Sequence, residues 1–147
     1  MAGFNFRLET VLQHRRHIEE TCQRELAAAL AELADEKTSL ARLEASRDRY
    51  RQELQQKLKS GVTASEMLLF QRYLDRLSLD IASQKIKADA AAQLSEKKRT
   101  ELIAALKNRK VLEKLKEKQT AAAARTALKQ EQGLINEVAV TRHVRAR

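Results

Sequence analysis

Between Phe4 and Lys59 the sequence contains neither proline nor glycine, and the whole chain of 147 residues lacks proline. Ala, Leu, Glu, Lys, Arg and Gln predominate, and these residues lose little free energy on entering an α-helix. Only five residues are aromatic and a third of the chain is charged, which argues against a compact globular core. A disordered chain is the alternative, but its leucines would not be regularly spaced. The composition therefore predicts long helices joined along a narrow apolar seam.

Leucines recur every seven residues in the first half of the chain. Leu26, Leu33, Leu40 and Leu54 share one register, and Arg47 occupies the missing step. A seven-residue repeat places these side chains along one side of a helix, as in a coiled coil. In the second half an apolar stripe with spacings of three and four is interrupted by polar residues. The seam residues Arg47, Gln84, Lys98 and Arg109 are expected to weaken the pairing or to fix its register.

The strongest signal for a reversal of direction lies at residues 60–63. Gly61 can adopt the left-handed conformation that ends a helix, and Thr63 and Glu66 have the spacing of a capping box. Val62 and Met67 stand where a hydrophobic staple would close over that cap. These signals predict a helical hairpin. The rival interpretation is one continuous helix that dimerises with a second chain.

The predicted fold class is all-α, a long two-helix antiparallel coiled-coil hairpin forming a single domain over residues 1–147. Helix 1 is expected at about 4–59, the turn at 60–63 and helix 2 at about 64–132, with helix 1 paired against roughly 64–118. The remaining basic tail, 133–147, follows Gly133 and is expected either to be disordered or to continue as helix when bound.

Few residues suggest chemistry, and the chain is predicted not to be an enzyme and to bind no cofactor, metal or small-molecule substrate. Its three glycines cannot form a phosphate-binding loop. His14 and His17 share a helical face and could touch a metal, but no third ligand has suitable spacing. Cys22 is interpreted as a small seam residue rather than a redox group. With one cysteine, no apolar signal segment and no span of about 20 apolar residues, the sequence predicts a cytoplasmic protein.

The positive charge is concentrated near the C-terminus. Residues 107–147 hold 11 Lys/Arg against 4 Asp/Glu, whereas the net charge of the whole chain is +9. An acidic protein surface is the expected partner. Nucleic acid is a weaker alternative, because Glu113 and Glu117 interrupt the basic run and no aromatic residue is available to stack on bases. A membrane-surface role is also weak, because the apolar face is narrow.

Three segments resemble the family of the flagellar export protein FliJ. They are FNFRLETVLQHRR at 4–16, LLFQRYLDRLSLDI at 68–81 and RKVLEKLKEKQ at 109–119. The resemblance covers nearly the whole chain, and the N-terminal segment, with Phe4, Phe6, Arg7, Leu8 and Glu9, is its most specific part.

The resemblance implies a non-enzymatic component of the flagellar type III export apparatus, similar to the central stalk of rotary ATPases. It implies binding to the hexameric export ATPase at its pore, to the cytoplasmic domain of the export gate and to export chaperones. A monomer in isolation and peripheral association with the inner membrane are also expected. The alternatives are the equivalent stalk protein of a virulence injectisome, a generic homodimeric coiled coil and a basic nucleic-acid-binding coiled coil. The residues expected to contact the ATPase ring are Phe4, Phe6, Arg7, Arg109, Lys110, Lys114 and Lys118.

Overall fold

The computed structural model describes residues 5–146, which form two α-helices, α1 (Glu9–Ser60) and α2 (Ala64–Ala146). The helices are antiparallel, because cross-helix contacts join successively later residues of α1 to successively earlier residues of α2, from Glu9–Lys116 to Lys57–Glu66. The predicted two-helix hairpin is therefore confirmed. The rival interpretation of one unbroken helix is wrong, because residues 61–63 are not helical.

The turn between the helices matches most of the predicted cap. Gly61 has a φ of 105°, a value that favours glycine because a Cβ would crowd the backbone there. Thr63 Oγ1 accepts a hydrogen bond of 3.2 Å from the backbone N–H of Glu66. The Glu66 carboxylate lies 3.8 Å from Lys57 Nζ, so it faces the last turn of α1. Val62 and Met67 are both partly buried, as a staple requires.

Two helix boundaries differ from the sequence-based expectation. α1 begins at Glu9 rather than near residue 4, after a turn in which the Glu9 N–H donates to the Phe6 carbonyl at 3.1 Å. The acidic side chain of Glu9 suits the positive end of the helix dipole. α2 does not end near residue 132 but continues through Gly133 to Ala146. One glycine costs a helix only about 1 kcal/mol, which does not stop an established helix from propagating.

The chain divides into two compact units, and each contains a part of both helices. Unit 2 comprises Thr21–Leu102, and unit 1 comprises the chain up to Glu20 together with Ile103 onward. The predicted single domain over 1–147 stays a prediction.

Unit 2 has a mainly apolar core along α2, in which the polar Gln84 and Ser95 are also buried. Ala29 of α1 is 5% exposed. The neighbouring Leu30 is 39% exposed, so the seam between Leu26 and Leu33 passes through Ala29. The buried apolar residues of α2 in this unit are Phe70, Leu77, Ile81, Ala88 and Ala91.

Gln84 and Lys98, two of the predicted polar seam residues of unit 2, pair across the helices, as a role in fixing the register requires, whereas Arg47 pairs at 3.4 Å with Asp48 of its own helix. Gln84 is buried and donates from Nε2 to the backbone carbonyl of Glu36 at 3.0 Å and also to its carboxylate. Lys98 Nζ lies 3.1 Å from the Glu25 carboxylate, and this hydrogen bond raises the pKa of Lys98. A shift of one helix along the other would move these partners apart.

Within residues 5–146, unit 1 contains fewer buried apolar residues than unit 2. Leu12 is fully buried, and Phe6 and Ala105 are 7% and 6% exposed. A charged residue of this unit, Glu19, is also buried, with 8% exposure. A charged group at that depth requires a partner inside the protein.

Candidate partner-binding surface

Arg109 supplies the partner for Glu19. Its guanidinium donates to the Glu19 carboxylate through Nε and, at 3.3 Å, through Nη2. Nη1 donates to Glu113 at 2.7 Å, and Glu113 also accepts a bond of 3.3 Å from Arg16 Nη2. The Glu19 hydrogen bond is the main cause that raises the pKa of Arg109, with the charges of Glu19 and Glu113 acting in the same direction. This network joins α1 to α2. It engages Arg109, which was predicted from the sequence to contact the ATPase ring.

A second cross-helix pair lies at the start of α1. Lys116 Nζ is 2.7 Å from Glu9 Oε2, and Gln13 Nε2 donates to Glu9 Oε1 at 3.1 Å. Both hydrogen bonds favour the ionised carboxylate, that of Lys116 most, and they lower the pKa of Glu9. Lys116 therefore belongs to the interface between the helices.

Six further cations of α2, between residues 107 and 129, form a stripe on its outer face. Steps of three, four and seven residues place them on one side of the helix, turned away from Ala105 and Arg109, which face α1. All six are exposed, and within the described chain none lies within ion-pair distance of a carboxylate. This basic stripe consists of Lys107, Lys110, Lys114, Lys118, Arg125 and Lys129.

The residues predicted to contact a partner therefore have different surroundings. Lys110, Lys114 and Lys118 are exposed and belong to the basic stripe. Arg7 is also exposed, whereas Phe6 is buried in unit 1. Arg109 is engaged with two carboxylates, and its side chain is 19% exposed. Phe4 lies outside the described residues.

Sequence reasoning missed half of the basic stripe. Lys107, Arg125 and Lys129 were not selected, although they are exposed on the same side of α2 as Lys114. Their positions follow the three-and-four spacing of a helix face, a signal that the sequence carries.

The predictions about other chemistry concern His14, His17 and Cys22. Within residues 5–146 no group of three or more His, Cys, Asp or Glu side chains is arranged to hold a metal ion. Cys22 has a free thiol and is partly buried, in line with a seam position. None of the described helical segments is long and apolar enough to cross a membrane.

The fold places this chain in the class of antiparallel hairpins built from two long α-helices. A family model described as the flagellar FliJ protein matches residues 4–147. The chain belongs to the FliJ family, whose members are structural components of type III protein export.

One solved structure shares the fold over almost its whole length. A proposed YscO homologue, CT670, from Chlamydia trachomatis is 19% identical in sequence with a TM-score of 0.60, and the match covers 96% of this chain and 96% of that chain. At this identity the likeness shows the fold alone. No curated protein matches the sequence.

Proposed function

We propose that this chain is a non-enzymatic stalk component of the flagellar type III export apparatus, and that its basic stripe binds the export ATPase ring at its pore. The observation that carries the proposal is the basic stripe itself, six exposed cations on the outer face of α2 in unit 1. Family membership supports the export role, and the stripe supports the choice of an acidic partner surface.

The two faces of α2 in unit 1 have separate tasks in this proposal. Arg109 and Lys116 face α1 and hold the helices in register. The stripe residues turn away and keep their charges available to acidic groups of a ring lumen. Each exposed ion pair contributes at most about 1 kcal/mol, so binding depends on several lysines acting together.

Co-sedimentation with the export ATPase tests the stripe. The triple variant Lys110→Glu, Lys114→Glu, Lys118→Glu reverses three exposed charges without touching the Arg109 network. We expect binding to fall at least about tenfold, because three pairs of up to about 1 kcal/mol each are replaced by repulsion. Binding of the wild-type chain should weaken steeply as salt is added, and that of the variant much less.

A matched control reverses three exposed lysines of α2 in unit 2. The variant Lys85→Glu, Lys87→Glu, Lys97→Glu has the same net charge as the stripe variant, but its changes lie outside unit 1. It should bind as the wild type does. Equal binding by both variants and the wild type would contradict the proposed role of the stripe.

The further partners are the cytoplasmic domain of the export gate and the export chaperones, proposed from membership in the FliJ family. The same membership supports a cytoplasmic protein held peripherally at the inner membrane by the apparatus. A pull-down with this chain as bait, probed for each partner, tests these proposals separately. Recovery of an injectisome ATPase in place of the flagellar one would favour the virulence-type stalk.

Two other candidate functions are less well supported by the structure. A homodimer paired along its full length requires an open leucine seam, but Leu12, Leu77 and Ile81 are already buried within the single chain. Base contacts or stacking aromatics support sequence-specific and single-strand nucleic-acid binding, and the basic stripe contains no aromatic residue. A filter-binding assay at two salt concentrations would detect that activity.

A further inference from the structure

The α1-facing side of α2 continues beyond the end of α1. α1 begins at Glu9, whose carboxylate contacts Lys116 of α2. From Lys116 steps of three and four residues lead along the same face of α2 to Leu134 and Val138. Every described residue after Ala123 is exposed, so this part of the face is not covered by α1.

The uncovered face carries a short group of apolar residues, with an acidic residue at one end and a basic residue at the other. Leu134, Ile135 and Val138 are 63%, 57% and 51% exposed. Glu131 precedes the group by one turn and Arg142 follows it by one turn, both on the same face. Arg142 also borders the shallow groove that these three apolar side chains line. The order along the helix is therefore acid, apolar group, base.

We propose that this face binds the same face of a second copy of the chain, with the two helices antiparallel. The order of the charges along the helix favours a second copy as the partner, and it favours an antiparallel arrangement of the two helices. In an antiparallel pair centred between Ile135 and Val138, Glu131 of each copy lies opposite Arg142 of the other, so both ends gain an attractive pair. A parallel pair would place like charges opposite each other at both ends.

This pairing obeys two-fold symmetry and extends an interface already present in the molecule. Ile135 of one copy lies opposite Val138 of the other, and the second copy covers the face where α1 stops. Such an isologous contact closes on itself and adds no further copies. With three apolar side chains from each copy, the contact is small and belongs to the weak, concentration-dependent class. The isolated chain is therefore monomeric when dilute and pairs when concentrated, independently of whether it binds an ATPase ring.

Sedimentation of the full chain over a concentration series, with charge-swap variants, tests the proposal. Glu131→Arg and Arg142→Glu each place like charges at both ends of the antiparallel pair. Either variant should weaken dimerisation at least about tenfold. The double variant Glu131→Arg, Arg142→Glu restores opposite charges across the interface and should return the dissociation constant to that of the wild type.

Two control variants change charge on the same segment but away from the apolar group. Lys129→Glu and Glu137→Arg lie on other sides of α2 and alter the net charge as much as the test variants do. Both should dimerise as the wild type does, and circular dichroism should show unchanged helix content for all five variants.

Each contrary result overturns the proposal in a different way. A wild-type chain that stays monomeric throughout the series excludes a second copy as occupant of this face. A double variant as weak as the single variants excludes the antiparallel arrangement. Equal weakening by Glu137→Arg shows that net charge, and not the pairing of Glu131 with Arg142, controls association.

Discussion

In unit 2 the buried side chains of α2 are mainly apolar, from Phe70 to Ala91, whereas the described part of unit 1 combines three buried apolar residues with a buried glutamate. The cross-helix ion pairs also differ. The Glu19 side chain in unit 1 is 10% exposed, whereas the Glu25 side chain in unit 2 is 44% exposed. The same two helices are thus joined mainly by apolar packing in one unit and to a greater extent by paired charges in the other.

The difference shows how one hairpin can be stabilised unequally along its length. In unit 1 a shift of helix alignment that separated Arg109 from Glu19 would leave a buried charge without its partner, which is strongly destabilising. Unit 1 therefore gains a fixed register, and its outer face keeps the basic stripe.

Removal of the fully buried Leu12 tests whether unit 1 depends on so few apolar contacts. Leu12→Ala should lower the free energy of unfolding by about 3 kcal/mol, through lost burial and the cavity left behind. Urea denaturation measures this change, and amide hydrogen exchange should show lost protection mainly in unit 1. The exposed Leu134→Ala is the control, with a change below about 0.5 kcal/mol. Equal loss of protection in both units would show that they unfold as one.

The two interior glycines, one in each unit, should respond in opposite directions. Gly61→Val forces a β-branched residue to a φ of 105° and should cost about 1–2 kcal/mol. Gly133→Ala, with no atom within 4 Å of the added Cβ, should stabilise α2 by up to about 1 kcal/mol. Thermal denaturation followed by circular dichroism measures both. A neutral Gly61→Val would show that the turn does not require the left-handed conformation.

Substitution of one cation in each unit by leucine compares the ion pairs of the two units directly. Arg109→Leu leaves the buried Glu19 without its main partner, whereas Lys98→Leu leaves Glu25 largely in contact with water. The thermal midpoint should therefore fall more for Arg109→Leu. Adding Glu19→Leu to that variant should recover part of the loss. Similar midpoints for the two single variants would remove the distinction between the units.

The smallest expected effect is the pH dependence of the Glu9–Lys116 pair. Because the pKa of Glu9 is lowered from 4.5 in the folded chain, the pair stabilises above pH 4.5 and its contribution is lost as the pH falls through the lower folded value. Glu9→Gln should thus be slightly less stable than the wild type at pH 7 and equally stable in strong acid. Denaturation midpoints across this pH range provide the measurement. A difference that persists in strong acid would indicate a cause other than ionisation.

The sequence predicted the architecture because its signals are local or periodic. Gly61 and Thr63 mark the turn within a few residues, and the leucine repeat marks the seam. It also predicted that Gln84 and Arg109 lie in the seam. It did not identify Glu19 as the partner of Arg109, because the two are 90 residues apart and only the helix alignment brings them together.

The candidate surface was predicted only in part for a similar physical reason. Net charge identified the basic region, but burial decides which cations remain available, and burial depends on the position of α1. Arg109 was therefore predicted to contact the partner, whereas Lys107 and Arg125 were not. The prediction that helix 2 ends at Gly133 overestimated the effect of one glycine. A long helix that precedes a glycine can continue through it, because the glycine costs only about 1 kcal/mol.

The turn at Gly61 sets the length of chain that each cross-helix contact must close. In unit 2 the Glu36–Gln84 contact joins residues 48 positions apart, and in unit 1 the Arg16–Glu113 contact joins residues 97 positions apart. Loop-closure entropy grows with this separation, and local contacts form sooner than distant ones, so folding is expected to proceed from the turn outward. The proposed ring-binding surface then lies in the last part to assemble, and a partner that holds unit 1 would raise the unfolding temperature of the chain by mass action.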